Sequence, residues 1–159
     1  IGVFCMQSCF ALGAGKVYIA DMDAERLALA KKLGATETIQ VGSQSIQDIE
    51  DRIDVFYDCV GEKGHVLNNI LEVAKRGSRV VVIGVLQNGY VIPRLPDFVQ
   101  HELSLFGTTM YVPADYADML ELMGKRKIVT DGMISHRFSL EDVPKVLDML
   151  DKKKEKTNV

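Results

Sequence analysis

Between Gly77 and Gly84 the chain runs Ser-Arg-Val-Val-Val-Ile, its clearest strand signal. So short an apolar run, closed by glycine at each end, fits a strand covered on both faces, as strands of parallel sheets are. The rest of the chain has the matching rhythm. Short β-rich runs alternate with longer stretches in helical register, the pattern of β-α-β crossover units. The sequence therefore predicts an α/β fold: a doubly wound, mostly parallel sheet of Rossmann type in three layers.

The elements follow from local signals. Residues 1–12 read as a helix, apolar nearly all round and so buried against a sheet, which Gly13 and Gly15 end. A strand is expected over 16–21. An amphipathic helix over 22–33 follows, with Asp23 as N-cap and Gly34 as its stop. Then come a strand over 36–41, a short helix over 46–52, a strand over 53–60 closed by Gly61, and a helix over 64–75. Strands over 79–84 and 103–109, a helix over 114–123 and an extended stretch over 133–138 complete the series. A last helix runs to about residue 152, with Ser139 and Asp142 spaced for a capping box.

Composition narrows the function classes. The 159 residues carry a net charge of −3, are 47% apolar and 26% charged, and suit one globular domain. With a pI of about 5.6, nothing suggests a nucleic-acid partner. The basic run over 152–156, broken by Glu155, reads as a solvated helix end. No apolar stretch reaches the ~18 residues a membrane span needs, and the apolar start over 1–14 lacks the basic flank of a signal peptide. Three cysteines without a Cys-x-x-Cys pair suggest a reducing, cytoplasmic setting. Cys5 and Cys9, four apart on a buried helix, read as core thiols rather than metal ligands. His65, His101 and His136 are scattered. No residue of the chain is assigned to catalysis or to a metal.

Three features point to a dinucleotide. Asp21 ends a strand nineteen positions after Gly2, where a carboxylate can accept two hydrogen bonds from the adenosine ribose. The same charge would repel a 2′-phosphate, favouring NAD over NADP. Gly2 opens the preceding helix, where glycine allows close packing of helix on sheet beside a pyrophosphate. Cys59-Val60-Gly61 and Ile83-Gly84-Val85 lie at the carboxyl ends of strands, where open α/β sheets bind ligands, and glycine there lets backbone approach a flat ring. Taken singly, Asp21, Gly61 and Gly84 could equally be turn residues, and Gly2 a mere chain end.

Together these segments resemble the coenzyme domain of the zinc-containing, medium-chain alcohol and polyol dehydrogenases, over essentially the whole chain. The resemblance rests on Ile1-Gly2, on Ala11-Leu-Gly-Ala14, on Asp21-Met-Asp-Ala-Glu-Arg-Leu27 and on Ala30-Lys-Lys-Leu-Gly-Ala35. It continues through Asp54-Val-Phe-Tyr-Asp-Cys-Val-Gly61, Gly77-Ser-Arg-Val-Val-Val-Ile-Gly84, Glu102-Leu-Ser-Leu-Phe-Gly107 and Ile134-Ser-His-Arg-Phe138. It implies that Asp21 binds the adenosine ribose with Arg26 beside the adenosine, and that Cys59, Val60 and Gly61 border the adenine side. It also implies that Ile83, Gly84 and Val85, with the backbone from Thr108 to Met110, hold the nicotinamide carboxamide. Members specialised for polyols often carry Arg-Tyr where this chain has Met110-Tyr111. The family's zinc ligands lie in a catalytic domain that this segment does not match.

The expected function is hydride transfer between an alcohol or polyol and NAD, with zinc bound outside this segment and the protein a homodimer or homotetramer. The rivals are a stand-alone NAD-binding sensor and a methyltransferase-type nucleotide domain. A final expectation concerns topology. In a sheet of order 3-2-1-4-5-6 the strand preceding Gly2 is central. Without it the strands over 16–21 and 53–59 face an open slot, to be filled by their direct pairing or by a strand from elsewhere.

Overall fold

The computed structural model describes residues 1–61, 65–92 and 94–152. Every strand ladder it contains is parallel. β1 (Tyr18–Asp21) pairs with β2 (Glu37–Gln40), Tyr18 opposite Glu37 and Asp21 opposite Gln40. A second sheet has the order β3-β4-β5, formed by β3 (Val55–Asp58), β4 (Arg79–Val82) and β5 (Ser104–Gly107). With helices flanking both sheets, this is the expected Rossmann-like α/β arrangement. The expected single sheet is nevertheless two sheets. Among the described residues no ladder joins β1 to β3, so the two strands do not close the slot by pairing with each other.

Helix α1 (Gly2–Ala11) links the two halves through side chains instead. Met6 is buried against Ala30 and Ala35, with Val3, Phe10, Val17, Ile19 and Leu33 packed around them. From the same helix Cys5 Sγ lies 3.8 Å from Cys59 Sγ just beyond β3, and Cys9 lies beside Tyr57. The helix is not buried all round as its composition suggested. Only Met6 and Gln7 are fully buried, while Phe4 and Leu12 are exposed, because its packing partners lie on part of its circumference. Its end is as expected. Gly13, at φ +99°, donates to the Phe10 carbonyl, and Ala14 donates to that of Cys9, a closure that needs the left-handed region.

Asp23 caps α2 (Ala24–Lys32) as its spacing predicted: Oδ1 accepts from the backbone N–H groups of Glu25 and Arg26 at 2.9 and 3.3 Å. Lys31 and Lys32 complement the negative end of the helix dipole. In the second sheet, Leu67, Ile70 and Leu71 recur at helical spacing on α3 (His65–Val73) and close over Val80 of β4. Each fully buried side chain of this kind contributes roughly 1.5–3 kcal/mol. The start of that helix expected at Gly64 lies outside the described residues. Phe98 of α4 (Leu95–Gln100) packs against the same cluster. Among the described residues β5 is an edge strand, and α5 (Pro113–Gly124) follows it.

Two local expectations are corrected. The helix over 46–52 is a single 3-10 turn, Ile46–Asp48, because the chain turns extended at Ile49. Ser139 forms no capping box. Its hydroxyl donates to Asp142 Oδ2 at 3.1 Å, and a 3-10 turn, Leu140–Asp142, precedes α6 (Val143–Lys152). The basic run beyond Lys152 lies outside the described residues. The chain divides into two compact units, residues 1–128 with both sheets and residues 129–159 with α6, where the His136 and Phe138 rings stack at 5.8 Å. Among the described residues no helix is long and apolar enough to cross a membrane.

Candidate functional site

At the carboxyl end of β1, Asp21 sits half-exposed with its carboxylate divided between two partners. Oδ1 accepts the backbone N–H of Asp23 at 2.8 Å, which fixes its rotamer. Oδ2 lies 3.9 Å from the Arg26 guanidinium on the first turn of α2. The Asp23 cap that starts α2 therefore also brings Arg26 round to the acid.

At the carboxyl end of β3 the organising residue is Asp58, completely buried. Its Oδ1 accepts from the backbone of Val60 at 3.0 Å and of Gly61 at 3.2 Å. Its own carbonyl accepts from Ile83 and Gly84, both at 2.9 Å. One residue thus ties the turn after β3 to the turn after β4. Asp58 Oδ2 is buried and has no partner among the described residues. Sequence reasoning passed over Asp58 because periodicity does not distinguish a buried acid from a solvated one. The only signal was its place between an apolar strand and Cys-Val-Gly.

Beyond β4 and β5 a cleft of about 540 Å³ opens. Ile83, Gly84, Val85, Thr108 and Met110, all singled out from the sequence, line it together with Ile1 and Cys5 from the start of α1. Thr108 is held by its N–H to the Val82 carbonyl at 3.2 Å. Met110 adopts φ +56°, a left-handed backbone uncommon for this residue type, with an exposed side chain. Gly2 stands at the first turn of α1, where an added Cβ would meet only Ile19 Cδ1 at 3.8 Å, an ordinary contact, so packing alone does not demand glycine there. Asp21 and Arg26 do not line the cleft. They form a separate polar station.

A glycine-started helix, a carboxylate ending the next strand and two tied strand-end turns are the parts of a nucleotide-binding α/β fold. Comparison with known proteins places the chain in a family. Residues 1–125 match the family model described as zinc-binding dehydrogenase. This chain belongs to the zinc-binding dehydrogenase family. Among its curated relatives, L-idonate 5-dehydrogenase of Vitis vinifera is 31% identical over 150 residues, covering 87% of this chain and 40% of that protein. Sorbitol dehydrogenase of Bacillus subtilis is 24% identical over 154 residues, covering 93% and 43%. The chain thus spans well under half the length of these relatives. Among solved structures, a protein of Sinorhizobium meliloti assigned as a zinc-binding dehydrogenase and bound to NADP superposes with a TM-score of 0.83 at 28% identity, covering 92% of this chain and 45% of that one. Galactitol-1-phosphate dehydrogenase of Escherichia coli gives 0.85 at 23% identity, covering 98% and 48%, and shows the shared fold. Among the described residues of this family member, no group of three or more His, Cys, Asp or Glu side chains could hold a metal ion.

Proposed function

We propose that this chain is the coenzyme-binding domain of an NAD-dependent alcohol or polyol dehydrogenase. The observation that carries the reading is the station at Asp21. A carboxylate at the carboxyl end of a parallel strand, with one oxygen fixed by backbone and the other 3.9 Å from Arg26, is equipped to accept the paired hydroxyls of an adenosine ribose. Arg26 stands where it can lie beside the adenine. Gly2 opens the helix whose N-terminus would face the pyrophosphate. Cys59, Val60 and Gly61 would border the adenine side. The cleft formed by Ile83 to Val85 with Thr108 and Met110 would take the nicotinamide, with its carboxamide against the backbone from Thr108 to Met110. The bound dinucleotide accepts or gives a hydride. The chain's own task is to place the ring and exclude water.

Electrostatics support NAD over NADP. Two unit charges 4 Å apart interact by about 1 kcal/mol in water and about 4 kcal/mol at an effective dielectric of 20. A 2′-phosphate against Asp21 meets repulsion in that range, partly offset by Arg26. Zinc and most of the pocket for a small alcohol or polyol would be supplied by a separate catalytic domain, as the family resemblance implies. β5 lies at a sheet edge with Leu105 and Phe106 partly exposed, which supports two-fold pairing into a homodimer or a dimer of dimers. Three free thiols support a reducing, cytoplasmic compartment. Titration with NADH, followed by fluorescence transfer from tyrosine to the nicotinamide, tests the reading. Saturable binding of NADH but not of S-adenosylmethionine is expected, and the reverse preference would overturn it.

A further inference from the structure

We propose that Cys5 and Cys59 form a reversible dithiol–disulfide site that reacts with hydroperoxides. The two sulfurs lie 3.8 Å apart although the residues are 54 positions apart in sequence. Cys5 is the fourth residue of α1, near the positive end of the helix dipole, which favours a thiolate. It lines the cleft, so a small oxidant reaches it from solvent. Cys59 follows β3 and donates its S–H to Cys5. That hydrogen bond holds the Cys5 thiol at about 7, against opposing burial, while the Cys59 thiol is pushed up. The pair thus has an attacking sulfur and a resolving sulfur. Cys9, raised by burial, is the bystander.

The chemistry balances with hydrogen peroxide as oxidant. The Cys5 thiolate attacks one peroxide oxygen, the O–O bond breaks, and hydroxide leaves Cys5 as a sulfenic acid. Cys59 sulfur then attacks Cys5 sulfur. The S–S bond forms, the S–O bond breaks, and the departing hydroxide takes the Cys59 proton as water. Two thiols lose two electrons and peroxide becomes two waters. Closing 3.8 Å to the ~2.05 Å of a disulfide draws α1 toward the turn after β3. A dithiol reductant restores the starting state by exchange. This site does not depend on the coenzyme reading, since its formation is read on the protein alone.

The test is mass spectrometry of the full-length protein after brief treatment with hydrogen peroxide and alkylation of the remaining thiols. The expected product joins the tryptic peptide ending at Lys16 to the one beginning at Ile53, with loss of two hydrogens. The cross-link should persist in Cys9→Ser, vanish in Cys5→Ser and Cys59→Ser, and revert with dithiothreitol. In Cys59→Ser, Cys5 should accumulate instead as a sulfenic acid that dimedone traps. Full alkylation of Cys5 and Cys59 after peroxide, or a cross-link retained in Cys5→Ser, would overturn the proposal.

Discussion

Gly61 and Gly84 meet backbone to backbone: a Cβ on Gly84 would stand 2.2 Å from Gly61 N, and one on Gly61 would stand 2.5 Å from Val85 N. The sequence pattern leaves each of these glycines open between a plain turn and the approach of a flat ligand. The structure shows that each is first required by the other. Gly61 also holds φ +68°, a conformation that disfavours any other residue.

Gly84→Ala should therefore cost about 1–3 kcal/mol through displaced backbone and should also weaken NADH binding by shifting Ile83 and Val85. Gly124→Ala, where a Cβ meets nothing within 4 Å at the end of α5, is the matched control. It should leave stability unchanged or raise it by roughly 0.5–1 kcal/mol. Urea denaturation of both variants checks the contrast.

Asp58→Ala should be destabilising because it strands the buried N–H of Gly61 and the part-buried N–H of Val60, and empties a fully buried site. A buried unsatisfied donor costs about 1–3 kcal/mol, so a loss of several kcal/mol in midpoint analysis is expected. Asp58→Asn should lose less, since an amide oxygen can still accept.

These cases mark what the sequence made legible. Asp23 and Gly34 were readable because a cap and a stop act within one helical turn. Asp21 was readable from strand-end position and spacing. Helix α4 was not: it is only six residues long and carries Pro96 in its first turn, where a proline leaves unmade only a bond that is missing there anyway. The Ser139 capping box failed although its residues were right, because the two side chains bonded to each other. Asp58 with its turns and Cys5 with Cys59 depend on contacts between distant segments, which local pattern cannot rank.

Alkylation should expose the paired thiol. The causes acting on Cys5 are first the Cys59 S–H, which lowers it, and then burial, which opposes, with Cys9 and Tyr57 alongside. Reactivity belongs to the thiolate, so its rate should rise with pH through about 7 rather than near 9. At pH 7 that gives about fifty-fold more thiolate than an ordinary thiol, reduced roughly eight-fold by lower nucleophilicity. Iodoacetamide should thus label Cys5 several-fold faster than Cys9. Cys59→Ala removes the donor and should move the inflection upward.

Sedimentation tests the edge. At micromolar concentration the full-length protein should be a dimer or tetramer, and Leu105→Lys, which places charge on β5, should shift it toward monomer. A monomeric parent would contradict pairing through this strand.

The role of Asp21 is tested most directly by calorimetric titration of NAD and NADP into the full-length protein and its Asp21→Ser/Met22→Arg variant. The original protein should prefer NAD by about tenfold or more. The variant, with the repelling carboxylate gone and a cation added, should bind NADP more tightly and NAD more weakly. If both affinities stay unchanged, Asp21 is a turn residue and the dinucleotide reading of this station is wrong.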